Sequence, residues 1–433
     1  MSIVRRDGRE RCIYASVAFC QEAGLATLAS TKTTMKTLTK QPVFLLLLAL
    51  LQLSTTPVEA AFGVVAKNNV NDLRRLVLGT VALPKLDNPH DLLSHAVDTG
   101  FTTFDLARTY GHGESERIFG EWMEESGVNR NDLTLITKGG MGEDKYGDPN
   151  RPMATLESIR AELAESLSAL KTDYVDMYML HRDDLRMPVS IFTEWMNQLI
   201  QEDKVRSWGV SNWSLERIQQ AHAYAAANGL VPPTANSPQL SLAVPDGEIW
   251  PTTQSMSSAG HEPNEAIQWH GENGVQIMGW ESLAKGFMAV PDLWSDVSQI
   301  DVRKMHERLC NGKIEIGSGE WRMARIQRAY CTPDNFERRK IAKEIAEKSN
   351  LSLAQIALLF SLSRGEHVSC LVGAEMNKHL DEMAALKNVE LDEEALHALG
   401  CVGVRRQATD MLQDVMVYQF APPLVNATFA LTA

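Results

Sequence analysis

The stretch Phe104-Asp105-Leu106-Ala107-Arg108-Thr109-Tyr110-Gly111 places an acid at the end of an apolar run and a tyrosine five residues later. Later apolar runs end in Lys138 and in His181. A helical pattern follows each run, and this alternation of strand and helix is typical of a parallel sheet. In a closed (β/α)8 barrel the active site lies where the strands end. We therefore expect the polar residues to converge on one mouth of a barrel: Asp105, Tyr110, Lys138 and His181.

This set of residues resembles the aldo-keto reductase superfamily, whose members carry an Asp, Tyr, Lys and His tetrad. Further matching stretches are Gly209-Val210-Ser211-Asn212, Pro238-Gln239 and Trp280-Glu281-Ser282-Leu283-Ala284-Lys285-Gly286. The resemblance covers residues 72–402 and implies one α/β domain, a (β/α)8 TIM barrel with long loops at the carboxyl ends of its strands. No GxGxxG motif follows a strand, so the two-domain dinucleotide fold is not indicated.

The resemblance implies an NAD(P)H-dependent oxidoreductase that reduces an aldehyde or ketone to an alcohol, with Tyr110 as the general acid. A tyrosine hydroxyl has an ordinary pKa of about 10, and a neighbouring ammonium lowers it. Lys138 is the candidate for that ammonium, and Asp105 would keep it charged and oriented. His181 would donate a hydrogen bond to the carbonyl oxygen of the substrate.

The same resemblance implies a nicotinamide cofactor, NADPH in the first place and NADH as the alternative. Ser211, Asn212 and Gln239 match positions that hold the carboxamide, and Trp280 matches the ring that stacks on the nicotinamide. The residues matching the pyrophosphate and adenosine contacts are Ser282, Leu283, Gly286, Gly373, Lys378 and Glu382.

The adenosine end departs from the family pattern. Glu375 stands where many members carry Arg, and Met383 where many carry Asn. A 2′-phosphate normally needs a fixed positive partner, and Lys378 is the nearby candidate. We therefore expect a weaker preference for NADPH than an Arg-bearing relative would show.

Each site residue also has a plainer interpretation. Taken singly, an aspartate at a strand end is often a helix cap, a lysine there is usually solvated, and a lone histidine or tryptophan is more often structural. Taken together, the tetrad favours catalysis. Two other functions stay open: a cofactor-binding, redox-sensing regulatory subunit with slow turnover, and a catalytically silent scaffold.

Composition limits the partners of this chain of 433 residues. Its net charge of −13 argues against nucleic acid as the main partner. The partner that the resemblance implies is a small carbonyl compound. Its six cysteines show no metal-binding spacing, so no metal site is expected. The oligomeric state and the identity of the carbonyl compound are not readable from the sequence.

Residues 1–62 differ in kind from the rest of the chain. Basic residues precede a leucine-rich apolar run over 43–53, and Val58-Glu59-Ala60 follows it. This pattern is typical of a signal peptide, with Met35 as a natural start, and the run is short for a membrane span. We expect entry into the secretory route or an organelle reached through it, with a plastid as one candidate. A helix packed on the barrel is the alternative, with a cytoplasmic protein if the segment is not functional. Residues 403–433 form a tail without a clear period.

Overall fold

The computed structural model describes residues 64–66, 75–141, 154–250, 252–260, 262–290 and 319–403. The signal-like segment 43–53 and most of the tail 403–433 lie outside these residues, so both stay predictions. No helix within the described ranges is long and apolar enough to cross a membrane.

Eight parallel strands close into a barrel in chain order. They are β2 (Leu76–Gly79), β3 (Thr103–Asp105), β4 (Thr134–Gly139), β5 (Val175–Leu180), β6 (Val205–Ser211), β7 (Ala235–Ser237), β8 (Gln276–Gly279) and β9 (Val368–Gly373). The closing pair is β2 with β9, in which Leu76 lies beside Cys370 and Gly79 beside Gly373. The predicted (β/α)8 barrel is confirmed.

Helices connect and surround these strands. They are α1 (Pro89–Thr99), α2 (Glu114–Ser126), α3 (Leu156–Ala169), α4 (Val189–Gln201), α5 (Leu215–Asn228), α6 (Glu265–Glu272), α7 (Gly319–Tyr330), α8 (Pro333–Ser349), α9 (Leu353–Leu362), α10 (Asn377–Ala384) and α11 (Glu393–Gly400). Local signals set their ends. In α1, Pro89 occupies the first turn and Gly100, with a φ of 106°, ends the helix. Thr155 and Ser158 form a capping box at α3.

Three elements differ from the expectation. The segment 287–335 reads as irregular from its sequence, yet it contains α7. Strand β1 (Val64–Ala66) pairs antiparallel with β10 (Val389–Leu391) outside the barrel, and α11 follows β10. Strands this short carry too few residues to show an alternation of apolar and polar side chains, so the sequence gives no signal for them.

Alternate side chains of the strands fill the barrel interior. One buried cluster joins Val77, Ile136, Met179, Ala235 and Met278 from five different strands. Side chains alternate between the two faces of a strand. Lys138, two residues after Ile136, therefore lies on the same face of β4 as Ile136. The inward face of β4 therefore carries apolar packing first and an ammonium at the barrel mouth.

Candidate active site

The ends of three neighbouring strands bring the predicted tetrad together. Asp105 is the last residue of β3, Lys138 is the penultimate residue of β4, and His181 directly follows β5. Tyr110 begins a 3-10 turn over Tyr110–Gly113. Backbone hydrogen bonds extend the ladder past the strands, because the amide of His181 donates to the carbonyl of Gly139 at 2.9 Å.

Lys138 is the centre of this group. Its Nζ lies 2.5 Å from Oδ1 of Asp105 and donates to the Tyr110 hydroxyl at 3.0 Å. A third bond from Nζ reaches the backbone oxygen of Leu106, also at 3.0 Å. The Tyr110 hydroxyl in turn donates to Oδ2 of Asp105 at 3.2 Å. The ammonium thus has three fixed acceptors, which hold it against the phenol.

The pKa of Tyr110 departs from the expectation. Burial and the charge of Asp105 raise this pKa, Lys138 opposes them, and the result is about 12. Lys138 lowers the pKa of Tyr110, as expected, but burial and then the charge of Asp105 outweigh this effect, so the pKa ends above its ordinary value. The Tyr110 hydroxyl lies 3.0 Å from Lys138 Nζ and 3.2 Å from Oδ2 of Asp105. The phenol is protonated at neutral pH and can serve as an acid.

Lys138 and His181 differ in charge state, because the first is charged and the second is neutral. Burial alone would lower the pKa of Lys138, but Asp105 and Tyr110 outweigh burial and raise it. Burial, followed by the positive charges of Lys138 and Arg182, holds the pKa of His181 well below its usual range. His181 is therefore neutral beside a charged ammonium, and its ring lies 6.0 Å from that of Tyr110, edge to face.

The predicted carboxamide contacts form a second group. Asn212, with a φ of 63°, donates from Nδ2 to Ser211 Oγ at 2.9 Å. The Trp280 indole donates to Asn212 Oδ1 at 3.2 Å, and Trp280 lies beside Gln239 in a short parallel bridge. A half-buried indole next to amide groups fits a flat ring that carries a carboxamide.

The side-chain amide of Gln239 makes several hydrogen bonds. Its Oε1 accepts from Ser255 at 2.5 Å and from Ser257 at 3.0 Å, and its Nε2 donates to Ser241 at 2.8 Å. Tyr330 of α7 also contacts this amide. A contact between Gln239 and a cofactor carboxamide stays a prediction, because it requires an exchange of these partners.

The turn after β8 has an unusual backbone. Positive φ angles occur at Glu281, Ala284, Lys285 and Gly286, and Ser282 donates from its hydroxyl to the carbonyl of Gly279 at 2.9 Å. Such turns point backbone groups outward, and Lys285 adds a positive charge, which suits a phosphate-bearing ligand. Leu283 packs partly buried against the core.

The residues predicted to contact adenosine lie at and after the end of β9. Gly373 is its last residue, and a methyl group there would meet nothing within 4 Å. Lys378 is mostly exposed on α10, with Nζ 3.6 Å from Oε1 of Glu382. Glu375 donates its backbone amide to Nδ1 of His379 at 3.3 Å. A lysine with this freedom can turn toward an anion.

The family follows from a comparison with known proteins. A model described as the aldo/keto reductase family matches residues 75–400. The chain belongs to the aldo/keto reductase family. This membership supports an oxidoreductase, and members of this family generally bind nicotinamide cofactors.

Curated relatives of this aldo/keto reductase carry two kinds of name. A probable voltage-gated potassium channel subunit beta of Oryza sativa subsp. japonica is 27% identical over 304 residues, covering 69% of this chain and 82% of that protein. Versiconal hemiacetal acetate reductase of Aspergillus parasiticus is 24% identical over 327 residues, covering 71% and 84%. A putative channel subunit beta of Schizosaccharomyces pombe is 34% identical over 161 residues, which span 37% of this chain and 46% of that protein.

Solved structures agree on the fold. A glycerol dehydrogenase of Gluconobacter oxydans superposes with a TM-score of 0.56 at 19% identity, covering 86% of this chain and all of that one. A thermostable aldo-keto reductase crystallised with the inhibitor epalrestat gives a TM-score of 0.51 at 18% identity, covering 78% and 98%.

Sequence reasoning missed several residues of this aldo/keto reductase. Tyr330 donates to Oε2 of Glu281 at 2.7 Å, and Trp250 donates to Oε1 of Glu281 at 3.3 Å. Both contacts depend on how α7 packs, which no local pattern reveals. Trp213, the residue after Asn212, is buried against Phe192.

Proposed function

We propose that this protein reduces an aldehyde or ketone to an alcohol, with NADPH as the hydride donor and Tyr110 as the proton donor. The observation that carries the proposal is the bond from Lys138 Nζ to the Tyr110 hydroxyl at 3.0 Å, inside a buried group that also contains Asp105. A general acid must lie within hydrogen-bond reach of its partners and hold a proton at the working pH, and Tyr110 meets both conditions.

The proposed roles of Tyr110, Lys138 and Asp105 follow from their charges. When bound, the nicotinamide supplies the hydride, and every proton movement belongs to the protein. Tyr110 gives its proton to the carbonyl oxygen as negative charge develops there. The Lys138 ammonium then stabilises the phenolate that remains, and Asp105 keeps that ammonium charged.

His181 would orient the carbonyl group. Nδ1 of His181 lies 3.5 Å from the Thr109 hydroxyl. A hydroxyl that donates to Nδ1 favours the neutral tautomer with its proton on Nε2. That N–H can donate to the carbonyl oxygen, which fixes the oxygen near Tyr110.

The cofactor would lie across Ser211, Asn212 and Trp280 toward Lys378. The bonded group of Ser211, Asn212 and Trp280 supports a nicotinamide end, and the positive-φ turn of 281–286 supports a diphosphate. Lys378 is proposed as the partner of the 2′-phosphate, which makes NADPH the first choice and NADH the alternative.

A panel of carbonyl compounds tests the function. We expect purified protein to consume NADPH with at least one aldehyde or ketone, such as 4-nitrobenzaldehyde. Tyr110→Phe keeps the ring and removes the hydroxyl, and should lower kcat by about 10²–10⁴-fold while cofactor still quenches tryptophan fluorescence. Wild-type turnover in Tyr110→Phe would refute the role of the tyrosine.

A second function is a redox-sensing regulatory subunit that binds cofactor and turns over slowly. The observation in its favour is the name of the relatives from Oryza sativa and Schizosaccharomyces pombe, potassium channel subunits beta. Cofactor binding without measurable turnover across the panel, together with co-purification of a membrane protein, would favour this function over the first.

A further inference from the structure

Two buried carboxylates lie outside the tetrad, on the helix side of β4. Glu116 in α2 is 1% exposed and Glu162 in α3 is 6% exposed. A buried carboxylate is costly unless its hydrogen bonds are satisfied. The proposed chemistry uses neither group, so the reason for burying them must lie in what they hold.

Each carboxylate binds a residue close to Lys138 in sequence: Thr137 directly precedes the lysine, and Gly140 lies two residues after it. Oε1 of Glu116 accepts from the Thr137 hydroxyl at 2.5 Å, and Oε2 of Glu162 accepts from the backbone amide of Gly140 at 2.7 Å. Hydrogen bonds to a charged group are stronger than neutral ones. The end of β4 is therefore held just before and just after the catalytic lysine.

The faces of the strand explain this arrangement. Thr137 and Lys138 are adjacent, so their side chains lie on opposite faces of β4. Lys138 points to the barrel mouth, where it reaches Asp105 and Tyr110, while Thr137 points to the surrounding helices. A bond from Glu116 to Thr137 thus fixes the strand from behind without entering the reaction site.

Packing around Gly139 makes this region rigid. A methyl group on Gly139 would overlap the Tyr178 hydroxyl and would lie 2.7 Å from Oε2 of Glu162. The strand end therefore sits directly against Tyr178 and Glu162, with no room for a side chain at position 139. A small shift of either helix would displace the backbone that carries Lys138.

We propose that Glu116 and Glu162 are positioning residues that hold the end of β4, so that Lys138 Nζ stays within hydrogen-bond distance of the Tyr110 hydroxyl. This inference rests on the proposed function, because the position of Lys138 matters to the extent that Tyr110 acts as an acid. Neither carboxylate touches the reacting atoms.

Loss of Glu116 removes both a hydrogen bond and a charge, and the test must separate these two effects. Burial raises the pKa of Glu116, while bonds from Thr137 and Ser166 and the positive charges of Lys138 and Arg108 oppose this rise. Glu162 and Tyr178 lie nearby. Variants must therefore remove the hydrogen bond and the charge independently.

The test compares variants on both sides of one hydrogen bond. Thr137→Val removes the donor and keeps the carboxylate, and Thr137→Ser restores a hydroxyl. Glu116→Ala removes the bond and the charge, and Glu116→Gln keeps an oxygen that can accept from Thr137. Glu124→Gln, on the exposed face of α2, is the control for loss of a carboxylate from the same helix as Glu116.

Single-turnover rates with NADPH are the first measurement. A misplacement of about 1 Å can cost ~10²-fold, so Thr137→Val and Glu116→Ala should lower the rate by about 10–100-fold with the dissociation constant for NADPH unchanged. Thr137→Ser and Glu116→Gln should recover most of that loss, and Glu124→Gln should match wild type. A loss in Glu116→Gln equal to that in Glu116→Ala would overturn the inference, because charge alone would then explain it.

Crystal structures of Thr137→Val and Thr137→Ser test the position of Lys138 without a measurement of turnover. We expect Lys138 Nζ to lie beyond 3.5 Å from the Tyr110 hydroxyl in Thr137→Val and near its wild-type place in Thr137→Ser. An unchanged distance in Thr137→Val would overturn the inference. A wild type without activity on any carbonyl compound would instead overturn the proposed function, and the distances would still decide whether Glu116 and Thr137 position the lysine.

Discussion

Nζ of Lys138 lies 2.5 Å from Oδ1 of Asp105, and each side chain has 2% of its surface exposed. The ion pair is therefore removed from water. Removal of one partner would leave an uncompensated buried charge. Such a loss costs about 3–5 kcal/mol. Each partner is therefore needed to balance the buried charge of the other.

Asp105→Asn should destabilise the protein more than an ordinary polar substitution does. We expect the free energy of unfolding at pH 7 to fall by about 3–5 kcal/mol, because Lys138 keeps a buried charge without its partner. Urea titration measures this change. The double variant Asp105→Asn, Lys138→Met removes both charges and should recover part of the loss. An unchanged midpoint in Asp105→Asn would show that the pair contributes little.

The pH dependence of carbonyl reduction should be flat over a wide range. Reduction needs a protonated Tyr110, whose pKa of about 12 keeps its proton through pH 10. His181, with a pKa held well below its usual range, stays neutral above pH 6.5. We therefore expect kcat/KM for the carbonyl substrate to vary less than about threefold between pH 7 and 10, a change worth under ~1 kcal/mol. A decline centred near pH 8 would show that bound cofactor lowers the phenol pKa.

The barrel and the convergence of the tetrad side chains could be foreseen because both depend on local patterns. Most barrel strands are apolar runs of their own, and three tetrad residues, Asp105, Lys138 and His181, end such runs. The rule that active sites lie at the carboxyl ends of barrel strands then brings distant residues together. No knowledge of side-chain packing is needed for that step.

The pKa of Tyr110 and the partners of Gln239 could not be foreseen. Both depend on distances of a few ångströms between side chains from different segments, such as Ser255 to Gln239 or Asp105 to Tyr110. The sequence names the charged groups but not how deeply the phenol is buried, which is the largest cause of its raised pKa. Helix α7 escaped prediction for a related reason, since it lies inside a long segment without a clear apolar period.

We expect the choice between NADPH and NADH to depend on exposed charges at and just before the start of α10. Lys378 carries the positive charge that a 2′-phosphate requires, and Glu375 opposes it. We expect wild type to prefer NADPH over NADH in kcat/KM, and Lys378→Ala to reduce that preference by about 10–150-fold, as for loss of one hydrogen bond to a charged group of ~1.5–3 kcal/mol. The control is Lys387→Ala, which removes a lysine beyond the end of the same helix and should leave the cofactor preference unchanged.

Two results would contradict this expectation. An unchanged cofactor ratio in Lys378→Ala would show that another group binds the phosphate. A wild type that prefers NADH would show that Glu375 decides the choice, and Glu375→Arg should then shift the preference toward NADPH.

A buried histidine should make the fold sensitive to acid. His270 is fully buried, with Nδ1 2.6 Å from the carbonyl oxygen of Ala266 and Nε2 3.4 Å from Nδ2 of Asn236. Burial lowers its pKa to about 4, while an unfolded chain has a histidine pKa of about 6.5. The unfolded state therefore binds the proton more readily, so the contribution of His270 to stability is complete above about pH 6.5 and declines as the pH falls toward 4.

We expect this contribution to decrease by up to about 3 kcal/mol between pH 7 and pH 4. The measurement is the free energy of unfolding of wild type and of His270→Gln at pH 7, 6, 5 and 4.5. Other groups titrate equally in both proteins, so the difference between the two isolates His270. His222, partly buried nearby with a pKa that burial also lowers, gives a matched variant, His222→Gln, with a smaller expected change. A difference between wild type and His270→Gln that stays constant with pH would mean that His270 takes up its proton equally well in the folded state, and acid sensitivity would then have to arise elsewhere.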